Sequence, residues 1–226
     1  LSMGVLAEKT AEKFGVTRLD QDNFAISSHQ KAISAINTGM FHSEIAPVTV
    51  DNKKGEYKFV NDEGPRQDTT LEKLQLLKSP FSINGTTTAG NSSQISDGAA
   101  AIVLSDENYA ISEKLSPIAV IDDHVIVGNN PADLFEAPAI AVQNLLAKNN
   151  TKIEEIDLFE VNEAFAGQVL SNGKYLNWDW AKVNINGGAV ALGHPIGASG
   201  TRILVTLIHA LKNHDLSTGI AVLCHG

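Results

Sequence analysis

The hydrophobic and polar positions divide this chain into a helical opening, a weakly patterned middle and a regularly alternating second half. Residues 5–14 read as a helix stopped at Gly15. Thr17, with Asp20 three positions on, then starts a second helix in the manner of a capping box, and that helix runs to Gly39. Between 43 and 81 a short β-prone run, HSEIAPVTV, gives way to the charged stretch DNKKGEYKFVNDEGPRQDTT. This pattern predicts a surface insertion suited to a lid or binding flap.

Beyond Phe81 the segment NGTTTAGNSSQISDG leads into a continuous apolar run over 99–104, which predicts a strand buried on both faces. A domain junction falls near Asn108. After it, strand-like runs at 118–121, 156–161, 183–185 and 220–224 alternate with helical patterns at 137–148, 164–175 and 198–212. That alternation predicts an α/β fold: a layered, mostly parallel sheet with helices packed on it, preceded by a helical region. In the last helix Ile203, Leu204, Leu207, Ile208 and Leu211 recur at the spacing of one buried stripe.

Composition narrows the function. The chain has 226 residues, 43% hydrophobic and 19% charged, which is ordinary for a globular protein. A formal net charge of -9 argues against nucleic acid as a partner and leaves a small molecule as the better expectation. The single cysteine, Cys224, allows no internal disulfide, which fits the cytoplasm. No apolar run approaches the roughly 20 residues that span a bilayer, and the first residues mix charge with apolar groups, unlike a signal peptide. The acceptor-like triplets at Asn84, Asn91 and Asn149 are therefore read as chance.

Ligands of open α/β sheets bind at the carboxyl ends of strands. Three such places carry chemistry: Asn162 and Glu163 after 156–161, the stretch NGGAVALGHPIGASG at 186–200, and Cys224-His225-Gly226 after the last run. Pro195 holds His194 away from helical dihedrals, while Gly197 and Gly200 are expected to let backbone approach a neighbour closely. The stretch can instead cradle a phosphate at a helix N-terminus or be a purely structural turn. A thiol paired with a histidine either attacks a carbonyl or takes a proton from a carbon acid, and a lone cysteine can equally be a small buried hydrophobe. His225, adjacent in an extended chain, points away from Cys224. Asn162 and Glu163 can equally be a helix N-cap with an acidic first turn. His29, His42, His124, His209 and His214 show no metal-ligand spacing, so no metal is expected.

Taken together, NEAFA at 162–166, NGGAVALGHPIGASG at 186–200 and LCHG at 223–226 resemble the ordered signatures of the thiolase family. MGVLAEKTAEKFG, DQDNFAISSHQKA, DEGPRQDTTLEKLQLLKSPF and GTTTAGNSSQISDGAAAIVL extend the resemblance over essentially the whole chain. It implies a thiolase-like fold, with 1–108 as the coenzyme-A-binding loop region and the end of the N-terminal half, and 109–226 as the C-terminal half without its last strand. It implies that His194 activates a nucleophilic cysteine and, with a water held by Asn162, stabilises the thioester oxyanion. Cys224 would be the acid/base, and the Gly226 amide a donor to the second oxyanion. Met3, Arg66, Phe81, Ala89, Ser93 and Phe165 would lie along the pantetheine arm and nucleotide of coenzyme A.

The implied reaction is Claisen condensation of two acetyl-CoA to acetoacetyl-CoA, with the coenzyme A thioester as substrate and no bound cofactor, in a homodimer or tetramer. No cysteine precedes Cys224 to serve as nucleophile, so the chain is read as an incomplete piece, inactive by itself. Leu134-Phe135-Glu136-Ala137-Pro138 stands where many biosynthetic members carry Met-Gly-Thr-Gly-Pro, and Ser2 replaces a histidine of some members, so a longer 3-ketoacyl chain is the alternative substrate. The rivals are a ketoacyl synthase, a silent coenzyme-A-binding or assembly module, and a hydrolase with Cys224 as nucleophile.

Overall fold

A computed structural model describes residues 1–53 and 55–225. Helix α1 (Met3–Lys13) ends before Gly15, which takes a left-handed φ of 60°. Helix α2 (Arg18–Asn37) opens on the expected capping box, in which the Asp20 N–H donates to the Thr17 side chain and the Thr17 N–H to the Asp20 carboxylate. The charged stretch that follows forms an antiparallel hairpin, β1 (Val48–Asn52) with β2 (Gly55–Phe59), and it is largely exposed, as a surface insertion should be. Two short helices, α3 (Leu71–Gln75) and α4 (Glu107–Ser112), punctuate the next stretch.

The second half supplies the core. Helix α5 (Ala137–Lys148) precedes β3 (Leu158–Val161), α6 (Ala166–Leu176), the short α7 (Ala189–Leu192), α8 (Ser199–Asn213) and β4 (Gly219–Val222). Strands β3 and β4 run parallel, with Leu158 opposite Gly219 and Val161 opposite Val222, and Val183 adds a parallel bridge to Phe159. Alternation along the strands sends side chains to two layers. Phe159, Val161, Ile220 and Val222 pack with Val142 of α5 and Val169 of α6, whereas Leu158 and Ala221 pack with Leu207 and Ala210 of α8. Helices α1 and α2 pack on α6, which places the helical opening outside the sheet.

Three strand expectations change. Residues 99–104 and 118–121 are irregular and exposed, with Val103 at 97% and Leu104 at 70% of full exposure. Strand formation requires a neighbour for the backbone N–H and C=O groups, and among the described residues none lies alongside these runs. The run 183–185 shrinks to one bridge because Asn184 turns into the left-handed region at φ 44°. In α8 the predicted stripe is deepest at Ile203 and Leu207, while Leu204, Ile208 and Leu211 are half-buried.

The α8 side of the sheet also carries charge. Glu160 faces Arg202, whose Nη1 lies 3.7 Å from Oε2. The hairpin's base is fastened to the same helix: Thr206 Oγ1 donates to Glu44 Oε1 (3.1 Å), Ser43 Oγ meets His209 Nδ1 (3.0 Å), and Asn213 Nδ2 donates to the Met40 carbonyl (3.1 Å). Burial pushes the Glu160 carboxyl up to about 8 and Glu44 up to about 7, against the pull of Arg202 on both.

Two outcomes follow for stability. Phe159→Ala, by opening the centre of the core, should cost about 3–5 kcal/mol in urea denaturation. Glu160 and Glu44 hold their protons more tightly folded than unfolded, where the value is near 4.5. Their stabilisation is complete below that pH and is lost as pH rises through about 7 and about 8. Glu160 and Glu44 therefore lower the melting temperature between about pH 5 and pH 8.5, each kcal/mol by roughly 2–4 °C, against the opposite pull of His29, His194 and His209, whose pKa values burial lowers. Glu160→Gln removes its share, so the wild-type curve should fall relative to that of the variant across this window, and parallel curves contradict the assignment.

Candidate active site

Strand β3 delivers Asn162 and Glu163 at its carboxyl end, and Glu163 organises what surrounds them. It is 1% exposed, yet its carboxylate accepts from Ser28 Oγ (2.7 Å), Asn184 Nδ2 (2.8 Å) and the Val190 N–H (3.1 Å). Burial raises its pKa and these hydrogen bonds oppose the rise. Asn184 also accepts from the Val161 N–H and donates to its C=O, imitating a neighbouring strand for one residue. The alternative of an acidic first helical turn is corrected: α6 begins three residues later, after Phe165, with no side-chain cap.

Glycines let the corner close around that carboxylate, though not the ones expected. A Cβ on Gly187 (φ 80°) would sit 2.6 Å from the Ser28 carbonyl oxygen, and one on Gly188 would collide with the Glu163 carboxyl. At Gly197 a Cβ meets nothing within 4 Å, and at Gly200 only the Leu223 side chain at ordinary contact. The close approach belongs to the start of the stretch because that part threads between α2 and β3.

His194 leaves α7 through Gly193 at φ 98°, where any side chain would strike Ser96. Its Nε2 lies 3.3 Å from Asn162 Nδ2, and its Nδ1 lies 2.5 Å from Ser199 Oγ. Ser199 in turn donates to the Pro195 carbonyl (2.9 Å). An amide nitrogen only donates, so Nε2 accepts, and the ring proton sits on Nδ1 and donates to Ser199. Burial, followed by the nearby Arg202 charge, lowers the imidazole's pKa and keeps it neutral. The Asn162 backbone N–H donates to the Val222 carbonyl (3.0 Å), while its Oδ1 is buried without a partner among the described residues. Ser199 was not singled out by sequence; its signal is a hydroxyl five residues after a histidine, at a helix entry.

Cys224, just beyond β4, packs beside Leu6, Ala7, Phe135, Ala164 and Phe165. Burial pushes its thiol up to about 11. Among the described residues no hydrogen bond joins it to His194, and His225 is exposed. Phe165 stacks edge-on with Phe135 (5.4 Å between centroids) and Phe81 (6.2 Å), and the Phe81 ring rests on Gly4. The Ser93 N–H donates to the Ala164 carbonyl (3.0 Å). Phe81, Phe165 and Ser93 thus share one neighbourhood with Cys224, and Met3, 45% exposed, flanks it beside Gly4. Ala89 and Arg66 are exposed, and Arg66 is tied by its backbone N–H to His29 Nδ1 (3.1 Å). Gly226 lies outside the described residues. Among the described residues no cluster of His, Cys, Asp or Glu is placed to hold a metal, and no helix is long and apolar enough to cross a membrane.

Comparison with known proteins converges on one family. The thiolase N-terminal domain matches residues 1–108 and the thiolase C-terminal domain matches residues 115–226. The chain is 48% identical over 225 residues to an acetyl-CoA acetyltransferase of Pseudomonas aeruginosa and 47% identical over 224 residues to that of Escherichia coli, covering 99% of this chain. It spans 57% of the length of each. Among solved structures, the Bacillus anthracis acetyl-CoA acetyltransferase superposes with a TM-score of 0.97 at 44% identity, and human mitochondrial 3-ketoacyl-CoA thiolase with 0.94 at 37%. Both match all of this chain and 57% of their own length. With matching domains in matching order, and a neutral histidine held by an asparagine at the ends of parallel strands, the chain belongs to the thiolase family.

Proposed function

We propose that the whole protein transfers acyl groups between coenzyme A thioesters, joining two acetyl-CoA into acetoacetyl-CoA with release of coenzyme A, reversibly. The observation that carries this reading is His194 itself: a neutral imidazole, fixed by Ser199 on one side, with its Nε2 lone pair directed at Asn162. In the first half-reaction that lone pair takes the proton of a nucleophilic cysteine from outside these residues, Cys224 being the chain's one cysteine. The thiolate attacks the thioester carbonyl, and coenzyme A leaves with the Cys224 proton, which turns Cys224 into a thiolate for the next step. In the second, that thiolate removes a proton from the methyl of another acetyl-CoA, the carbanion displaces the acyl group from the nucleophile, and the nucleophile regains its proton from His194. Asn162, through a water, and the Gly226 amide stabilise the two oxyanions.

The environment of Cys224 favours these roles over attack by Cys224 itself. A thiol pushed up to about 11 is a poor nucleophile at neutral pH, but it is a proton donor matched to a carbanion in the cleavage direction. Phe81 and Phe165 offer the apolar walls for pantetheine, Ser93 an amide contact, Arg66 a contact for phosphate or adenine, and Met3 and Ala89 line the approach. Residues 1–108 serve as the coenzyme-A-binding loop region and 109–226 as the C-terminal half. The reading includes acyl-CoA as partner, a cytoplasmic setting and assembly as a dimer or tetramer. A longer 3-ketoacyl substrate is the second reading, favoured by Leu134, Phe135 and Glu136 in the segment beside the aromatic cluster.

Intact-mass analysis after incubation with acetyl-CoA tests the roles. This chain, extended to relative length with the remaining part of the Escherichia coli protein, should gain one acetyl group on a cysteine other than Cys224, and the 226-residue chain none. Acetyl on Cys224 overturns the assignment. In the extended protein His194→Ala should lower the condensation rate by about 10²–10⁴-fold, and an unchanged rate sinks the mechanism. Alkylation of Cys224 by iodoacetamide should remain slow through pH 8 and accelerate only as pH nears about 11.

A further inference from the structure

Gln94 stands where the end of α7 runs out of partners. Continuing the helix would give the Val190 carbonyl the His194 N–H and the Ala191 carbonyl the N–H of residue 195, but residue 195 is proline and has none. Gln94 replaces both. Its side-chain amide donates to the carbonyls of Ala191 (3.0 Å) and Val190 (3.3 Å), and its backbone carbonyl accepts the His194 N–H (3.1 Å). The same amide donates to the Gly64 carbonyl (2.9 Å), so two protons serve three acceptors from two segments. A Cβ on Gly64 would press on the Ala191 carbonyl oxygen, which shows how closely the two backbones meet at this amide.

We infer that Gln94 is the positioning residue of His194: by exchanging these hydrogen bonds it turns the chain out of α7 at residue 194 and aims Nε2 at Asn162. This rests on the role proposed for His194. Without the amide donors, the Val190 and Ala191 carbonyls are left unpaired at the end of α7, the corner shifts to regain partners for them, and the imidazole loses its alignment with Ser199 and Asn162. Gln94 touches neither the imidazole nor, in this reading, the substrate. Its effect should therefore fall on the rate of chemistry more than on substrate binding.

The test compares Gln94→Met, which keeps the length without donors, with Gln94→Asn, which keeps the amide on a shorter stem. In the 226-residue chain, long-range ¹H–¹⁵N spectra should show wild-type His194 as the Nδ1–H tautomer, a mixture in Gln94→Met, and an intermediate fraction in Gln94→Asn. A space-filling role predicts the reverse order, with Met the better replacement, and that order, or an unchanged Met spectrum, overturns the inference. If Gln94→Met does not fold, Gln94→Asn decides alone: a wild-type tautomer refutes, a mixture supports. In the extended protein Gln94→Met should lower kcat about 10–100-fold with KM within about threefold. An extended wild-type protein without acyl transfer would refute the proposed function while the spectra still judge Gln94.

Discussion

The site depends on how a buried carboxylate is satisfied. Glu163 has no access to water, and stripping a donor from such a group costs several kcal/mol. Its donors come from α2, from the turn at Asn184 and from the start of α7. Burying the group therefore obliges three segments, the farthest in sequence 135 positions from Glu163, to converge at the end of β3. Gly187 and Gly188 follow from the same demand, since a side chain at either would occupy the space where backbone meets α2 or the carboxyl itself. Asn162 precedes Glu163 and inherits its rigidity, which allows its 3.3 Å contact, together with that of Ser199, to orient His194.

Around that anchor the structure sets two titratable groups in opposite directions. The imidazole is held neutral by burial and by Arg202, and the thiol is held protonated by burial among Phe135, Phe165 and Leu6. Environments that push pKa values apart are how one site separates an acid from a base. The separation has a structural origin: His194 enters from the α7 corner on polar partners, whereas Cys224 lies just beyond β4 against Leu6 and Ala7 of α1 and the segment before α5.

Much of this was legible where the determining contacts are local. The Thr17–Asp20 box, the stop at Gly15 and the bounds of α5 and α8 follow from caps, left-handed glycines and apolar spacing within a few residues. The family resemblance carried by the NEAFA, HPIGASG and LCHG segments implied Asn162 near His194. Residues 99–104 misled because apolar β-prone composition says nothing about whether a neighbouring strand is at hand. Glu163 misled for a related reason: a local reading offers it a helix start, and only the approach of Ser28 and Val190 reveals the stronger claim. Gln94 carries no local signal at all, because its acceptors lie 30 and 97 positions away.

The corner and the strands differ in how far the chain supplies their needs. Glu163, Asn184, His194 and Gln94 are held by hydrogen bonds that tie α2, the end of β3, the start of α7 and the loop at Gly64 to one another. Among the described residues the runs 99–104 and 118–121 have no such partners and expose Val103, Leu104, Ile118 and Val120 instead. A hydrogen-bonded corner is cooperative in a way an unpaired strand is not, since each donor withdrawn strands an acceptor in a low dielectric. The histidine side of the site is therefore held by many cooperating contacts, and Pro195 adds to them: by withholding an N–H it leaves the Ala191 carbonyl to Gln94.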